Sequence, residues 1–296
     1  MSVVINTNVN SIKIQRILNN STDKLSQSMQ RMSTGLKINS AKDDAAGTVI
    51  AAKMNVQLNG NEIAQKNVQN ASAMLSTAEA NIDVVSENVS RIRDLTLQAK
   101  NGTYSDDEIL AMDNEVQQRI AEINRVSDSA KYSSSKLFDG NGEAKKFQVG
   151  SDAGADNTIT AKAGIFKTVK FSEISGLQNF SLKDLINTPP TIKAGLKVND
   201  VATDDNYDKA IRQLDKGIDD LTARKSEIGS ASNRLDSALS TLTTQYENLS
   251  SSKSLITDAD IASEASKYTQ NQILQQISAS LLTQANSSLS IAMNLI

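Results

Sequence analysis

The side chains in this chain that could do chemistry are chiefly carboxylates, because its 296 residues include no histidine and no cysteine. The commonest general base near neutral pH and the sulfur nucleophile are therefore both missing. Asp152 and Asp156 stand in a glycine-rich stretch, GSDAGADN, of the kind that could form a cation-binding loop. Their spacing does not fit a calcium loop, which needs a run of ligands and a closing glutamate. The stretch is therefore interpreted as a hairpin loop.

The adjacent acids Asp43 and Asp44 form a second candidate, since paired carboxylates can act as a general acid and a general base. They precede a helical pattern, where negative charge interacts favourably with the helix macrodipole, so a structural role is the better interpretation. The sequence also contains no glycine-rich phosphate motif. It predicts a protein that is not an enzyme and that has no cofactor and no metal site.

Composition and charge argue against further classes of protein. The net charge of −3 does not suit a general nucleic-acid-binding protein, which normally carries a basic face. No stretch approaches the roughly 20 apolar residues that a membrane-spanning helix needs. The first residues, MSVVINTNVNSIKIQ, show no basic region followed by an apolar one, so a cleaved secretory signal is not expected. We expect neither nucleic-acid binding nor membrane insertion.

The elements that must position these side chains are helices of unusual length. A first seam of apolar residues repeats in steps of four and three without interruption: Ala64, Val68, Ala71, Leu75, Ala78, Ile82, Val85, Val89 and Ile92. A sustained seven-residue repeat is typical of a coiled coil. It predicts one helix from near Asp44 to near Lys100, roughly 80 Å long at about 1.5 Å per residue.

A turn and a helix start follow this first long helix. Asn101-Gly102 is a strong turn signal. Ser105 and Glu108 have the spacing of a capping box, in which each side chain satisfies a backbone amide of the other residue. They predict a second helix that runs to about Ala130.

A second seam begins at Tyr207 and is broken only by Lys225 and Ser232. Its apolar members are Tyr207, Ile211, Leu214, Ile218, Leu221, Ile228, Leu235, Leu239, Leu242, Tyr246 and Leu249. The pattern predicts a helix over 206–250, a break over 254–260 and a final helix over 261–296. Apolar residues cover about 200° of the final helix, more than one neighbouring helix can bury. Contacts with other subunits are therefore expected.

The middle of the chain differs from the helical arms. All five phenylalanines lie within 138–204. The turn signal Asp139-Gly140 and the short segments 146–150 and 158–161 predict β-hairpins. The expected fold is mainly α: a long antiparallel coiled-coil helical rod with a small β-hairpin-rich element in the middle of the chain.

Several long blocks of the sequence resemble the bacterial flagellin family. They are VINTNVNSI near the start, LSQSMQRMSTGLKINSAKDDAAG (25–47), RIRDLTLQAKNGT (91–103), EVQQRIAEINRVS (115–127) and SSKSLITDADIASEASKYTQNQILQQISASLLTQAN (251–286). The blocks keep the family's order, and the resemblance covers about 1–150 and 205–296.

This resemblance implies a structural subunit that polymerises into the flagellar filament used for swimming motility. It implies a terminal coiled-coil domain of the inner tube, formed by 1–43 with 255–296. The outer-tube domain would consist of a helical rod, 44–135 with 205–254, and a small β-rich element, 136–204. At this length no large outer variable domain is expected.

The resemblance also implies an export route and partners. Flagellins are secreted unfolded through the flagellar type III apparatus and assemble at the extracellular tip beneath a cap. The implied partners are further copies of the chain, in a helical homopolymer, together with flagellar cap and hook-junction proteins and a flagellin export chaperone. The terminal residues expected to be buried by polymerisation are Ile12, Leu18, Leu25, Met29, Ile277, Leu281, Leu289 and Met293.

Some flagellins are sensed by a Toll-like innate immune receptor through their outer helices. The resemblance places that surface, which also serves contacts between subunits, at Arg91, Leu95, Gln98, Glu115 and Arg119.

Two alternatives stay open. One is a hook–filament junction protein, which shares the terminal pattern and the export route; the block at 91–103 favours flagellin over it. The other is a soluble coiled-coil signalling or translocator protein, which would form a stable dimer and no polymer.

Overall fold

The computed structural model describes residues 8–140, 143–186, 191–192 and 205–294, with side-chain surroundings for 8–140, 143–185 and 205–287. Its α-helices are α1 (Val9–Thr34), α2 (Ala45–Ala99), α3 (Asp106–Ser129), α4 (Phe171–Ile174), α5 (Asn206–Thr257) and α6 (Ile261–Asn294). Helix dominates the fold and short strands occur only between α3 and α5 in the described chain, so the predicted fold class is confirmed.

The chain divides into two compact units. The terminal unit consists of 1–59 with 245–296, and the central unit of 60–244. α2 and α5 each contribute residues to both units.

Local hydrogen bonds explain where several helices begin and end. Asn8 caps α1, its Oδ1 accepting from the Ser11 amide at 3.0 Å. Gly35 ends α1 with a φ of 71°, a conformation that favours glycine. The predicted capping box of α3 is confirmed: the Ser105 amide donates to Glu108 Oε2 at 2.8 Å, and the Glu108 amide donates to Ser105 Oγ at 3.4 Å.

The paired acids Asp43 and Asp44 lie in the non-helical link between α1 and α2. Asp43 Oδ2 accepts from the hydroxyl and amide of Ser40, and the hydroxyl contact is the main reason why the pKa of Asp43 is lowered. Asp44 Oδ1 accepts from the Gly47 amide at 2.9 Å, in the first turn of α2. Both carboxylates therefore satisfy backbone donors, in agreement with a structural role.

The core of the central unit is built on the first predicted seam. Every member from Ala64 to Ile92 is at most 3% exposed. From α3, the buried residues Ile109, Val116 and Ile123 join the same apolar cluster. The seven-residue period alone was thus sufficient to identify the buried face of α2.

The second predicted seam is correct at every second member only. At the steps between these members, as far as Ser232, α5 buries the residue that precedes the predicted one. Tyr207, Leu214, Leu221, Ile228, Leu235 and Leu242 are buried as predicted. Between them lie Ala210, Gly217, Arg224 and Ala231 instead of Ile211, Ile218, Lys225 and Ser232. Small residues let the backbone approach its neighbours closely: a Cβ on Gly217 would lie 3.1 Å from Ile174 Cγ2. Burial along the seam also stops at Leu242, and Tyr246 is 38% exposed.

Ion pairs join α2, and the residue that directly follows it, to α5 along the central unit. They are Asp83–Lys225, Arg93–Asp215 and Lys100–Asp208. The residue numbers of the two partners add to the same total in all three pairs, as they do for antiparallel helices in one continuous register. The antiparallel arrangement predicted for the long helices is therefore present between α2 and α5.

The strands form separate two-stranded antiparallel pairs. They are β1 (Lys131–Tyr132) with β2 (Ser135–Lys136), β3 (Lys145–Gln148) with β4 (Thr158–Ala161), and β5 (Leu177–Gln178) with β6 (Thr191–Ile192). The predicted second strand is correct, whereas the first was placed at 146–150 and in fact ends at Gln148. Gly150 packs instead against Asn157, whose side chain leaves no room for a Cβ at that glycine.

The segment between β4 and α5 is anchored to α3 by side chains that bind backbone groups. Asp113 Oδ1 accepts from the Leu182 amide at 2.7 Å, and Gln117 Nε2 donates to the Phe180 carbonyl at 2.7 Å. From α5, Arg224 Nη1 donates to the Lys167 carbonyl at 2.9 Å. This explains why a charged residue occupies a core position of α5.

The predicted break over 254–260 is too long, because α5 continues to Thr257. No glycine or proline interrupts this stretch, and the helical backbone bonding reaches the Asp258 amide, which donates to the Ser254 carbonyl at 2.9 Å. After the break, Asp260 Oδ1 accepts from the amide of Ala262 at 3.0 Å and so caps α6.

Candidate assembly surface on the terminal helices

In the terminal unit, α1 and α6 run antiparallel and meet through polar contacts. Gln275 Nε2 donates to Thr22 Oγ1, and Asn8 Nδ2 donates to the Ala285 carbonyl, both at 3.0 Å. Within the residues whose side chains are described, the buried positions of α1 and α6 are all polar: Ser21, Ser28, Glu264 and Ser278. The two helices therefore do not build an apolar core with each other.

Many of the large apolar side chains of both helices are exposed instead. On α1 they include Ile12, Ile17 and Met29, which are 62%, 53% and 52% exposed. On α6 they are Ile261, Ile273, Leu274, Ile277 and Leu281, between 41% and 51% exposed. A concentration of exposed apolar side chains marks an interaction surface. On α6, Ile273, Ile277 and Leu281 lie on one side of the helix, whereas Ile12, Ile17 and Met29 are distributed around α1. We call all these exposed residues together the apolar face of the terminal helices.

Half of the eight predicted polymerisation residues belong to this face. Ile12, Met29, Ile277 and Leu281 are exposed members of it. Leu18 and Leu25 are half-buried. Leu289 and Met293 lie outside the residues whose side chains the structure describes.

A charged cluster links α1 to α6, and the sequence analysis missed it. Glu264 is 5% exposed; its Oε1 lies 3.4 Å from Arg31 Nη1 and 2.8 Å from Lys267 Nζ. The hydrogen bond from Lys267 is the main reason why the pKa of Glu264 is lowered, although burial acts in the opposite direction. Arg31 Nε and Glu264 Oε2 are buried without a hydrogen-bond partner among the described residues. The only sequence signal was the spacing of Glu264 and Lys267 by three residues.

Backbone hydrogen bonds also join the segment that follows α1 to the segment that precedes α6. The Ala259 amide donates to the Gly35 carbonyl at 2.9 Å, and the Lys37 amide donates to the Thr257 carbonyl at 2.7 Å. Leu36 and Asp258 form an antiparallel bridge between these bonds. The links after α1 and before α6 therefore hold each other in place.

A second candidate surface lies on α2 and α3 of the central unit. Arg91 donates to Glu115 through Nε at 2.8 Å and Nη2 at 3.2 Å. Arg119 lies near the same carboxylate, with Nη2 3.6 Å from Glu115 Oε1, and also donates to Asn88. The bond from Arg91 is the largest cause of the lowered pKa of Glu115.

The other two residues predicted for this surface differ from each other. Gln98 is exposed, whereas Leu95 is 2% exposed and belongs to the core. Leu95 can therefore support the surface from beneath but does not present its side chain to a partner.

The loop acids Asp152 and Asp156 lie in the turn between β3 and β4. Gln148 Nε2 donates to the Asp152 carbonyl at 2.9 Å, and Asp156 lies in a short 3-10 turn, as expected of a hairpin loop. Across the described ranges, no group of three or more acidic, His or Cys side chains could hold a metal ion. In that same part of the chain, no helix combines the length and apolar composition needed to cross a membrane.

This chain resembles known flagellar proteins. Residues 5–143 match the bacterial flagellin N-terminal helical region, and residues 211–295 match the bacterial flagellin C-terminal helical region. Flagellin D of Vibrio anguillarum is 29% identical, over all of both chains. The flagellar filament 30.7 kDa core protein of Treponema maltophilum is 30% identical over 96% of each chain. A solved flagellar hook-associated protein of Vibrio parahaemolyticus has the same fold, with a TM-score of 0.55 and 18% identity over 72% of this chain and 99% of that one.

Long helices, a mainly polar contact between the chain ends and an uncovered apolar face define a structural protein that associates with itself. The chain belongs to the bacterial flagellin family. It is a structural subunit of a flagellar filament and not an enzyme.

Proposed function

We propose that the apolar face of the terminal helices is the surface through which copies of this chain join in the filament. The observation that carries the proposal is that α6 turns Ile273, Ile277 and Leu281 away from α1, although α1 is its neighbour. Fully burying one such side chain contributes about 1.5–3 kcal/mol. Packing against other copies would cover this face and supply the apolar core that the helix pair lacks.

The proposal assigns roles along the chain. Residues 1–43 with 255–296 form the inner-tube domain, and Leu289 and Met293 take part in its contacts. Residues 44–135 with 205–254 form the helical rod of the outer-tube domain, and 136–204 its β-rich element. The extensive apolar cluster of the central unit supports the outer-tube role, because that unit can hold its fold without neighbours.

The same difference between the units supports a disorder-to-order step at the chain ends. The terminal helices bury too little apolar surface to offset their ordering entropy before assembly. An unfolded or loosely folded end suits export through a narrow type III channel, with an export chaperone covering the apolar residues. Assembly beneath a cap, next to hook-junction proteins, would then place the filament outside the cell.

Deleting 261–296 tests the assembly surface. The truncated protein should keep the cooperative unfolding transition of the central unit but form no filaments. The measurement is negative-stain electron microscopy of full-length and truncated protein, each incubated with filament seeds and a precipitating salt, together with circular dichroism. Filaments from the truncated protein would contradict the proposal. Full-length protein that stayed soluble with seeds would favour the junction or signalling alternatives.

A second proposed function is recognition by a Toll-like receptor through α2 and α3. It is supported by the ordered surface group of Arg91, Glu115 and Arg119, next to exposed Gln98. Arg91→Ala should weaken activation of receptor-bearing cells by the purified monomer. Arg125→Ala is the matched control, because Arg125 on α3 is, like Arg91 on α2, a surface arginine paired with a glutamate, in this case Glu122. Equal activity of the two variants would argue against the receptor surface.

A further inference from the structure

Two Asn–Gly pairs in the described chain have opposite surroundings. Asn59–Gly60 lies inside α2, whereas Asn101–Gly102 forms the exposed turn between α2 and α3. A third pair, 141–142, lies outside the described residues. We propose that Asn101 is a site of spontaneous deamidation, which converts this turn to aspartate and isoaspartate while Asn59 stays intact.

The reaction needs only the chain and water. The backbone nitrogen of Gly102 attacks Cγ of Asn101, forming an N–Cγ bond as the Cγ–Nδ2 bond breaks. The amide nitrogen leaves as ammonia and carries away the proton from the Gly102 nitrogen. The product is a five-membered succinimide. Water then opens the ring at Cγ to give aspartate, or at the backbone carbonyl to give isoaspartate.

The turn leaves this attack unhindered. Asn101 and Gly102 are both exposed, and apart from the two adjacent residues no atom lies within 4 Å of the position that a Cβ on Gly102 would take. The turn is held on either side of the reacting atoms: the Asn101 amide donates to the Gln98 carbonyl, and the Tyr104 amide donates to the Asn101 carbonyl. No backbone hydrogen bond among the described residues engages the Gly102 N–H.

The Asn59 side chain is also exposed, but the backbone of Asn59–Gly60 lacks the other two freedoms. The Gly60 N–H belongs to the hydrogen-bonded interior of α2, so its nitrogen cannot turn toward the Asn59 side chain without breaking the helix. Gly60 is also packed closely, since a Cβ there would lie 2.7 Å from Ser151 Cβ. Helix and packing therefore protect the same dipeptide that the turn exposes.

Deamidation adds a negative charge at an unfavourable position. The C-terminal end of α2 carries the negative end of the helix macrodipole. Isoaspartate also lengthens the main chain of the turn by one atom. We expect Asn101→Asp, which copies the simpler product, to lower the thermal unfolding midpoint of the full-length chain.

The test is mass spectrometry of tryptic peptides from full-length protein aged in a mildly alkaline buffer, with an unaged digest as the baseline. Cleavage after Lys53 and Lys100 places the two pairs on different peptides. In the native protein, the peptide with Asn101 should deamidate many-fold faster than the peptide with Asn59. In concentrated urea, the two rates should become similar.

Gly102→Ala is the control variant. Its backbone φ lies outside the left-handed region and its Cβ meets open space, so the variant should fold normally. The added methyl group hinders ring closure and should slow deamidation at Asn101 several-fold. Equal native rates at Asn59 and Asn101, or no effect of Gly102→Ala, would overturn the proposal.

Discussion

At the scale of single residues, the most consequential group is Glu264, a nearly buried carboxylate between Arg31 and Lys267. Its pKa is lowered in the folded state. Because the pKa is lower in the folded state, the ionised carboxylate stabilises the fold at pH values above the ordinary pKa of glutamate. That stabilisation is lost as the pH falls through the lower, folded-state value. Acid should therefore loosen the contact between α1 and α6.

Glu264→Gln tests this argument in assembled filaments. The amide keeps the size of the side chain but removes its charge, and leaves Arg31 without its counter-charge. We expect a loss of about 1–3 kcal/mol at neutral pH, and a shallower dependence of stability on acid pH, because one titrating group is gone. The measurement is the disassembly temperature of filaments across acid and neutral pH. Parallel pH profiles for variant and unsubstituted filaments would show that Glu264 contributes no pH dependence.

At the scale of elements, the seam of α5 shows how small residues can carry a helix contact. Ala210 is fully buried, whereas its larger neighbour Ile211 is only half-buried. Ala210→Leu should lower the free energy of unfolding by about 1–3 kcal/mol, because the added carbons overpack the contact. Ile211→Leu, which conserves volume at the flank, should cost less. Denaturant unfolding of the full-length variants gives both free energies. A larger loss for Ile211→Leu would show that Ile211, as the sequence predicted, makes the helix contact instead of Ala210.

The sequence did not predict this contact of α5. The α2 seam could be predicted because its apolar residues occur at every step of the repeat. On α5 two alternate steps carry an isoleucine beside a smaller residue that is buried in its place: Ile211 beside Ala210, and Ile218 beside Gly217. Hydrophobicity favours the isoleucine, but the backbone needs the smaller residue. Glu264 was missed for a related reason, since a charge at a seam position is normally assigned to solvent.

At the scale of the whole molecule, the apolar residues are divided between two purposes. Those of the central unit form a continuous buried cluster running from Ala64 to Leu242. Those of α1 and α6 remain largely uncovered while serines and a glutamate occupy the contact between the helices. The first arrangement suits a subunit that is stable alone. The second suits ends that gain most of their stability from other copies, so that assembly and folding of the ends are one process.

Leu281→Asp tests whether polymerisation can be lost while the fold of the central unit is kept. Leu281 is 51% exposed, so the charge should cost the free subunit little, and unfolding of the central unit should be unchanged. In a filament the same carboxylate would be buried in an apolar contact without a partner, which costs several kcal/mol and should abolish polymerisation. Gln272→Asp adds the same charge at an exposed position on the side of α6 opposite Leu281 and should still polymerise. Sedimentation of seeded mixtures measures both variants. Normal polymerisation of Leu281→Asp, or equal failure of both, would show that assembly does not use this apolar face selectively.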